Sequence, residues 1–249
     1  MRPSCERFWL LRPPDRRQAE WDEGMIWRRE DYPESAGSGP YVGWGGSAKR
    51  LTELRIKLVS TRTPDLVWTA WDLLVQDRVA QMFKEQGFTG FELRPASVRW
   101  KVGKPDFDRT YDDDDSPGIS TRDALRLEIP TLWELLVIGW GGLAPPESGM
   151  RPVPGSSEWE GIPNWAHVID ASQWDGSDFF MVWPYPLFRI VTDRVARFIK
   201  KHKLTGAKLI APERYRRHPW LIPGADPGRL SELMPEPRAR EIGEPLGIY

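Results

Sequence analysis

One phrase of this chain occurs twice. Residues 75–93 read VQDRVAQMFKEQGFTGFEL and residues 191–209 read VTDRVARFIKKHKLTGAKL, 116 positions apart. Val75/Val191, Asp77/Asp193, Arg78/Arg194, Val79/Val195, Ala80/Ala196, Lys84/Lys200, Thr89/Thr205, Gly90/Gly206 and Leu93/Leu209 coincide, nine identities in nineteen ungapped positions, where chance supplies about one. A repeated segment is a repeated supersecondary unit, so any fold available to this chain must house two copies of it.

The unit can be read from its chemistry. Asp77 stands where a helix N-cap or first-turn acid belongs, opposite the orphan N–H groups and the positive end of the dipole. Val79, Met82 and Phe83 follow at helical spacing as one apolar stripe, with Arg78, Gln81 and Glu85 toward water. Gly87 fits a left-handed helix stop, and Thr89-Gly90 turns the chain into a strand carrying Phe91 and Leu93 inward. The second copy repeats the steps with Asp193, the stripe Val195/Phe198/Ile199, Thr205-Gly206 and Leu209; its stop is Lys203, so its capping geometry can differ. A single short helix cannot cover its own apolar face. The copies must therefore pack on one sheet or on each other. The expected class is α+β, with two related strand–helix–strand halves around a mixed or antiparallel sheet. The halves fall at 1–124 and 125–249, or join as one composite domain.

Around the copies, FWLLRP (8–13) reads as an opening strand, and LTELRIKLVS (51–60) as a half-buried strand with Leu54, Ile56 and Leu58 on one face. VWTAWDLLV (67–75) reads as one strand entering the first copy. Residues 31–46 are a Gly/Pro/Ser-rich loop and 144–164 a proline-rich connection. Within 125–144 the alternation of Leu125, Leu127 and Ile129 predicts a strand, and Trp140-Gly141-Gly142 a turn. Much of the proline- and charge-rich tail after Tyr215 is expected to be irregular.

With 40% hydrophobic and 29% charged residues among 249, the chain can bury a core. A formal net charge of −1 gives no global pull toward nucleic acid or anionic membrane. One cysteine, Cys5, excludes an intramolecular disulfide and a multi-cysteine zinc site, and no cofactor is expected. MRPSCERFWLL has no apolar run of signal-peptide length, and LWELLVIGWGGLA is too short to span a bilayer and carries Glu134. A cytoplasmic protein is the expectation.

Charge is unevenly placed. Residues 106–115 carry six Asp against one Arg, and residues 197–217 carry eight Lys or Arg against Glu213. Asp112, Asp113, Asp114 and Asp115 lack the alternation and glycine of a calcium loop. They read as a solvated loop, as a docking patch for a basic partner, or as a mate for the chain's own basic half. Arg194, Arg197 and Lys201 share a helix face, but the first copy has no such excess, so nucleic acid is not an expected partner. His167, His202 and His218 have no mate at metal-ligand spacing. No Walker loop, dinucleotide fingerprint or nucleophile elbow occurs, and nothing in the sequence joins Glu53, Glu134 and Glu147 into a carboxylate pair.

TLWELLVIGWGGLAPPESGM (131–150), followed by DFFMVWPYPLFRIVTDRVARFIKKHKLTGAKLI, resembles the double-CXXCG-motif immunity proteins of myxobacteria. The resemblance spans about residues 8–215 and is strongest over 125–215. The phrase DRV…GFTGFEL also resembles a wider class of polymorphic-toxin immunity proteins. Both CXXCG motifs are missing here; their places fall near 24–34 and 150–165, where Trp27, Trp159 and Trp165 are candidates to hold the loops by burial instead. The resemblance implies a non-enzymatic protein that binds and blocks a cognate toxin, a basic nuclease being a reasonable match for Asp112–Asp115. The competing readings are an enzyme with a carboxylate-lined cleft between the halves, and a nucleic-acid-binding regulator working through 194–217.

Overall fold

The computed structural model describes residues 7–14, 19–21, 27–28, 49–50, 53–69, 72–103, 118–154, 159–161, 164–215 and 229–249. The strands are β1 (Phe8–Arg12), β2 (Ala19–Trp21), β3 (Trp27–Arg28), β4 (Lys49–Arg50), β5 (Leu54–Leu58), β6 (Leu66–Trp68), β7 (Leu73–Gln76) and β8 (Phe91–Trp100). They continue as β9 (Leu132–Val137), β10 (Gly139–Leu143), β11 (Met150–Pro152), β12 (Trp159–Gly161), β13 (Phe179–Trp183), β14 (Tyr185–Thr192) and β15 (Lys208–Ile210). The helices are α1 (Asp77–Glu85), α2 (Thr121–Ala124), α3 (Asp193–Lys201), α4 (Leu230–Leu233) and α5 (Glu236–Leu246).

This is an α+β protein with mixed sheets. One sheet runs β2-β5-β8-β9-β7-β6 and the other β10-β13-β14-β1-β15. Four adjacent strands at one end of each sheet correspond one to one. β6 pairs β7 with Leu66 opposite Val75, as β13 pairs β14 with Phe179 opposite Val191. β7 pairs β9 with Val75 opposite Trp133, as β14 pairs β1 with Val191 opposite Trp9. β9 pairs β8 with Leu135 opposite Leu93, as β1 pairs β15 with Leu11 opposite Leu209. The strand that follows the first copy thus has its equivalent at the N-terminal end, so the second half is a circular permutation of the first. The sheets do not divide at 124/125: β1 lies in the second and β9 in the first.

The nine shared residues explain this arrangement. Val79 and Ala80, like Val195 and Ala196, are fully buried under their helices. Asp77 accepts the Trp133 indole N–H at 2.7 Å and Asp193 that of Trp9 at 2.9 Å, while Lys84 and Lys200 lie over the same two rings. The acids at the helix starts therefore hold a tryptophan and make no cap: neither Gln76 nor Thr192, the N-cap residues, donates or accepts a capping bond through its side chain. Lys203 takes φ 52°, close to the φ 63° of Gly87, so both helices stop in the same left-handed way.

The remaining identities knit the halves together reciprocally. Asp65, just before β6, accepts the Thr205 amide at 2.8 Å and its hydroxyl at 3.0 Å, and pairs with Arg78. Asp178, just before β13, accepts the Thr89 amide at 3.2 Å, the Thr192 hydroxyl at 2.9 Å and Arg194 at 2.7 Å. The Leu66 amide donates to Thr205 O and the Phe179 amide to Thr89 O, both at 3.0 Å. Each copy's Thr-Gly turn therefore docks on the strand that opens the other half. Mutual contacts of this kind define an isologous interface, here within one chain. Phe83 of α1 and Phe198 of α3 meet edge to face at 6.0 Å, and Phe88 joins them. One core cluster accordingly runs through both halves, from Leu66 and Phe83 to Val195 and Ile242.

Several expectations are corrected. Residues 67–75 form two strands, because Thr69 and Asp72 close a hairpin turn: the Thr69 hydroxyl donates to Asp72 Oδ2 and accepts the Asp72 amide, both at 2.8 Å. Trp140-Gly141-Gly142 continues as β10. The tail carries α4 and α5, the latter started by Pro235 and Pro237, laced by Arg240 to Glu236 and Glu244, and stopped at Gly247 with φ 68°. Residues 31–46 lie outside the described residues.

Candidate partner-binding surface

Asp112–Asp115 lie outside the described residues, but the base of their segment is built in detail. β8 ends at Trp100, buried among Leu54, Ile56, Leu58 and Leu132. Val102 then bridges Ile119 in parallel. The Ile119 amide donates to Lys101 O at 2.8 Å and the Gly103 amide to Ile119 O at 3.1 Å. Gly118 takes φ 76°, and a Cβ there would stand 2.9 Å from Gly103 N, so glycine is required for the two ends to close. Both ends of the acidic segment consequently leave from one point beyond β8.

Ser120 caps α2 by accepting the Asp123 amide at 3.1 Å, and its hydroxyl donates to Asp123 Oδ2 at 2.7 Å. The cap starts a single helical turn, and residues 125–129 emerge from it exposed. This replaces the expected strand. Its apolar residues do not enter the core: Leu125 is 84% exposed, Ile129 45% and Leu127 39%. Val102, at the base of the acidic segment, is 49% exposed. The turn is held from below by Trp100, whose indole N–H donates to Leu127 O at 3.4 Å, and by Ala124 packed on the second core cluster. These four are the large apolar side chains exposed among the described residues, apart from Leu246 in α5. The S-x-x-D cap of Ser120 and Asp123 was the sequence signal for this surface, and the Leu alternation masked it.

The other candidates separate. Arg194 is committed to Asp178 and to the Gln86 and Gly87 carbonyls at the end of α1, and Arg197 pairs with Asp193 at 2.9 Å. Of the three cations on the basic face, two are thus engaged within the fold. Glu53 accepts the Ser97 hydroxyl on β8, and Glu147 sits in a short 3-10 turn after β10. Glu134 is 5% exposed on β9. It helps to stabilise Arg189, whose guanidinium burial pushes down to about 10 against the pull of Asp72 and Glu134. That is the environment of a buried counter-ion. His202 ends α3 stacked on Phe198 at 4.2 Å, His167 lies in a 3-10 turn, and His218 is outside the described residues. Among the described residues no three His, Cys, Asp or Glu side chains group as metal ligands, and no helix is long and apolar enough to cross a membrane.

Replacing Leu125 and Leu127 together by serine should leave stability within about 0.5 kcal/mol of the parent, since neither is buried. Denaturant unfolding followed by circular dichroism checks this. A larger loss would place these leucines in the core.

No protein family matches this chain, and no curated protein sequence does.

Proposed function

We propose that this chain is a non-enzymatic, cytoplasmic immunity protein that binds and neutralises a cognate protein toxin. The observation that carries the reading is the surface beyond β8. Leu125, Leu127, Ile129 and Val102 are exposed beside the common base of a segment bearing Asp112–Asp115. Exposed apolar side chains, and a segment rich in one sign of charge that leaves from the same base, are what a protein interface of the blocking kind needs. The apolar residues supply slow dissociation and the carboxylates fast encounter with a basic toxin, a nuclease being the class that fits. The resemblance to double-CXXCG immunity proteins supports the same function. The absence of the cysteines is compatible with it, because β11 pairs with β12 and Trp165 is 3% exposed. Trp27 and Trp159 have side chains outside the described residues.

Co-expression with the product of the adjacent gene tests the reading. Rescue of growth and co-purification are expected, and failure of both removes it. Replacing Asp112–Asp115 by serine should then slow association by about tenfold at low salt and flatten its salt dependence. Unchanged kinetics would rule out the acidic segment as the docking element.

A further inference from the structure

The second half carries a side-chain cluster that the first half lacks, on a different element from the surface above. Arg12 stands opposite Lys208 on β15, in the register where the first half sets Leu136 opposite Glu92. A cation therefore occupies a position that the shared scaffold fills with leucine. Its guanidinium lies 4.7 Å from the Phe188 ring centre and 5.4 Å from that of Tyr215. Among the described residues it has neither a carboxylate nor a hydrogen-bond acceptor, and burial lowers its pKa. Phe188 and Tyr215 pack in turn on Trp165, at 4.4 and 5.0 Å between ring centres, and Tyr185 packs on the same indole at 4.8 Å.

Two of these aromatics bring unused polar atoms. Trp165 is 3% exposed and Tyr185 5%, and among the described residues neither Trp165 Nε1 nor Tyr185 Oη has a hydrogen-bond partner. Leaving a buried polar atom unpaired costs about 1–3 kcal/mol, so two of them in one aromatic cluster call for a missing partner. The chemistry of that partner follows from the groups. A guanidinium and an indole N–H only donate, and a phenol kept neutral by burial donates as well. The set is rich in donors and positively charged. Phe188 and Tyr215 stand 5.8 Å apart between ring centres, so both flank the guanidinium from one side, and its remaining N–H groups offer the two-point pairing that a carboxylate or phosphate matches.

We propose that Arg12, Trp165, Tyr185 and Tyr215 form a binding site for an oxyanion, a carboxylate or a phosphate group. The test is titration of the full chain, labelled with 15N at its tryptophans, with sodium acetate and separately with sodium phosphate at constant ionic strength. The Trp165 indole signal should shift saturably with one of them, which identifies the oxyanion. Apparent affinity should fall about tenfold or more in Arg12→Gln and less in Arg12→Lys, which keeps the charge and loses the fork. Circular dichroism establishes that both variants are folded, and the parent titration stands without them. If neither anion moves the Trp165 signal, or if Arg12→Gln binds as the parent does, the proposal is wrong and water fills the cluster.

Discussion

Gly206→Ala should lower stability by about 3 kcal/mol or more, and Gly90→Ala should do the same. Both glycines have positive φ, 89° and 82°, which alone costs an L-residue about 1–2 kcal/mol. Steric overlap costs more. A Cβ on Gly206 would overlap the Leu66 carbonyl oxygen and lie 2.8 Å from Pro64 Cβ. On Gly90 it would overlap the Phe179 carbonyl oxygen and lie 2.6 Å from Ser177 Cβ. The two carbonyl oxygens are backbone of the other half, so the cost can be relieved only by opening the joint. Gly87 provides the internal control: its φ is 63°, a methyl added there would meet nothing within 4 Å, and its equivalent Lys203 already carries a side chain. Gly87→Ala should cost about 1 kcal/mol. Denaturant unfolding compares the three, and equal losses would mean that the Thr-Gly turns do not form the joint.

Asp178→Ala should cost about 3 kcal/mol. The side chain is 9% exposed and accepts from Arg194, the Thr89 amide and the Thr192 hydroxyl. Its removal leaves a partly buried guanidinium and two neutral donors without their acceptor. Asp65→Ala should match it, since Asp65 is 8% exposed and serves Arg78 and both donors of Thr205. Arg197→Ala, which breaks only the exposed helical pair with Asp193, should cost less than about 0.5 kcal/mol. In a double-mutant cycle, Asp178 and Arg194 should couple by about 1 kcal/mol or more. Additive losses would show that the ion pair contributes nothing of its own.

Much of the scaffold was legible because it rests on local patterns. The helices α1 and α3, the strands β1 and β5 and the α+β class follow from apolar spacing. The repeat announced that two copies exist, but sequence could not show why Thr, Gly, Asp and Arg recur in them. Their roles depend on Asp65 and Asp178, which stand 113 positions apart where the repeat stands 116 apart, so an ungapped comparison misses them. The equivalence of Trp9 with Trp133 was hidden more deeply, because β1 precedes the second half that it completes. The exposed leucines beyond β8 were misread since alternation alone cannot say whether a face meets a core. The prolines of the tail read as breakers, although at the first turn of α5 they favour the helix.

On this account labour is divided along the chain: shared residues hold the halves together, and the unshared surface beyond β8 selects the partner. With a toxin of the proposed kind in hand, its affinity for two sets of variants tests this most directly. One set carries serine at Asp112–Asp115 and at Leu125 and Leu127; the other carries alanine at the exposed repeat positions Gln81 and Lys201. The first set should lose affinity by about 100-fold, as expected when interface anchors are removed, and the second should bind as the parent does. Parental affinity in the first set, with loss in the second, would place the partner on the repeated helices and contradict the account.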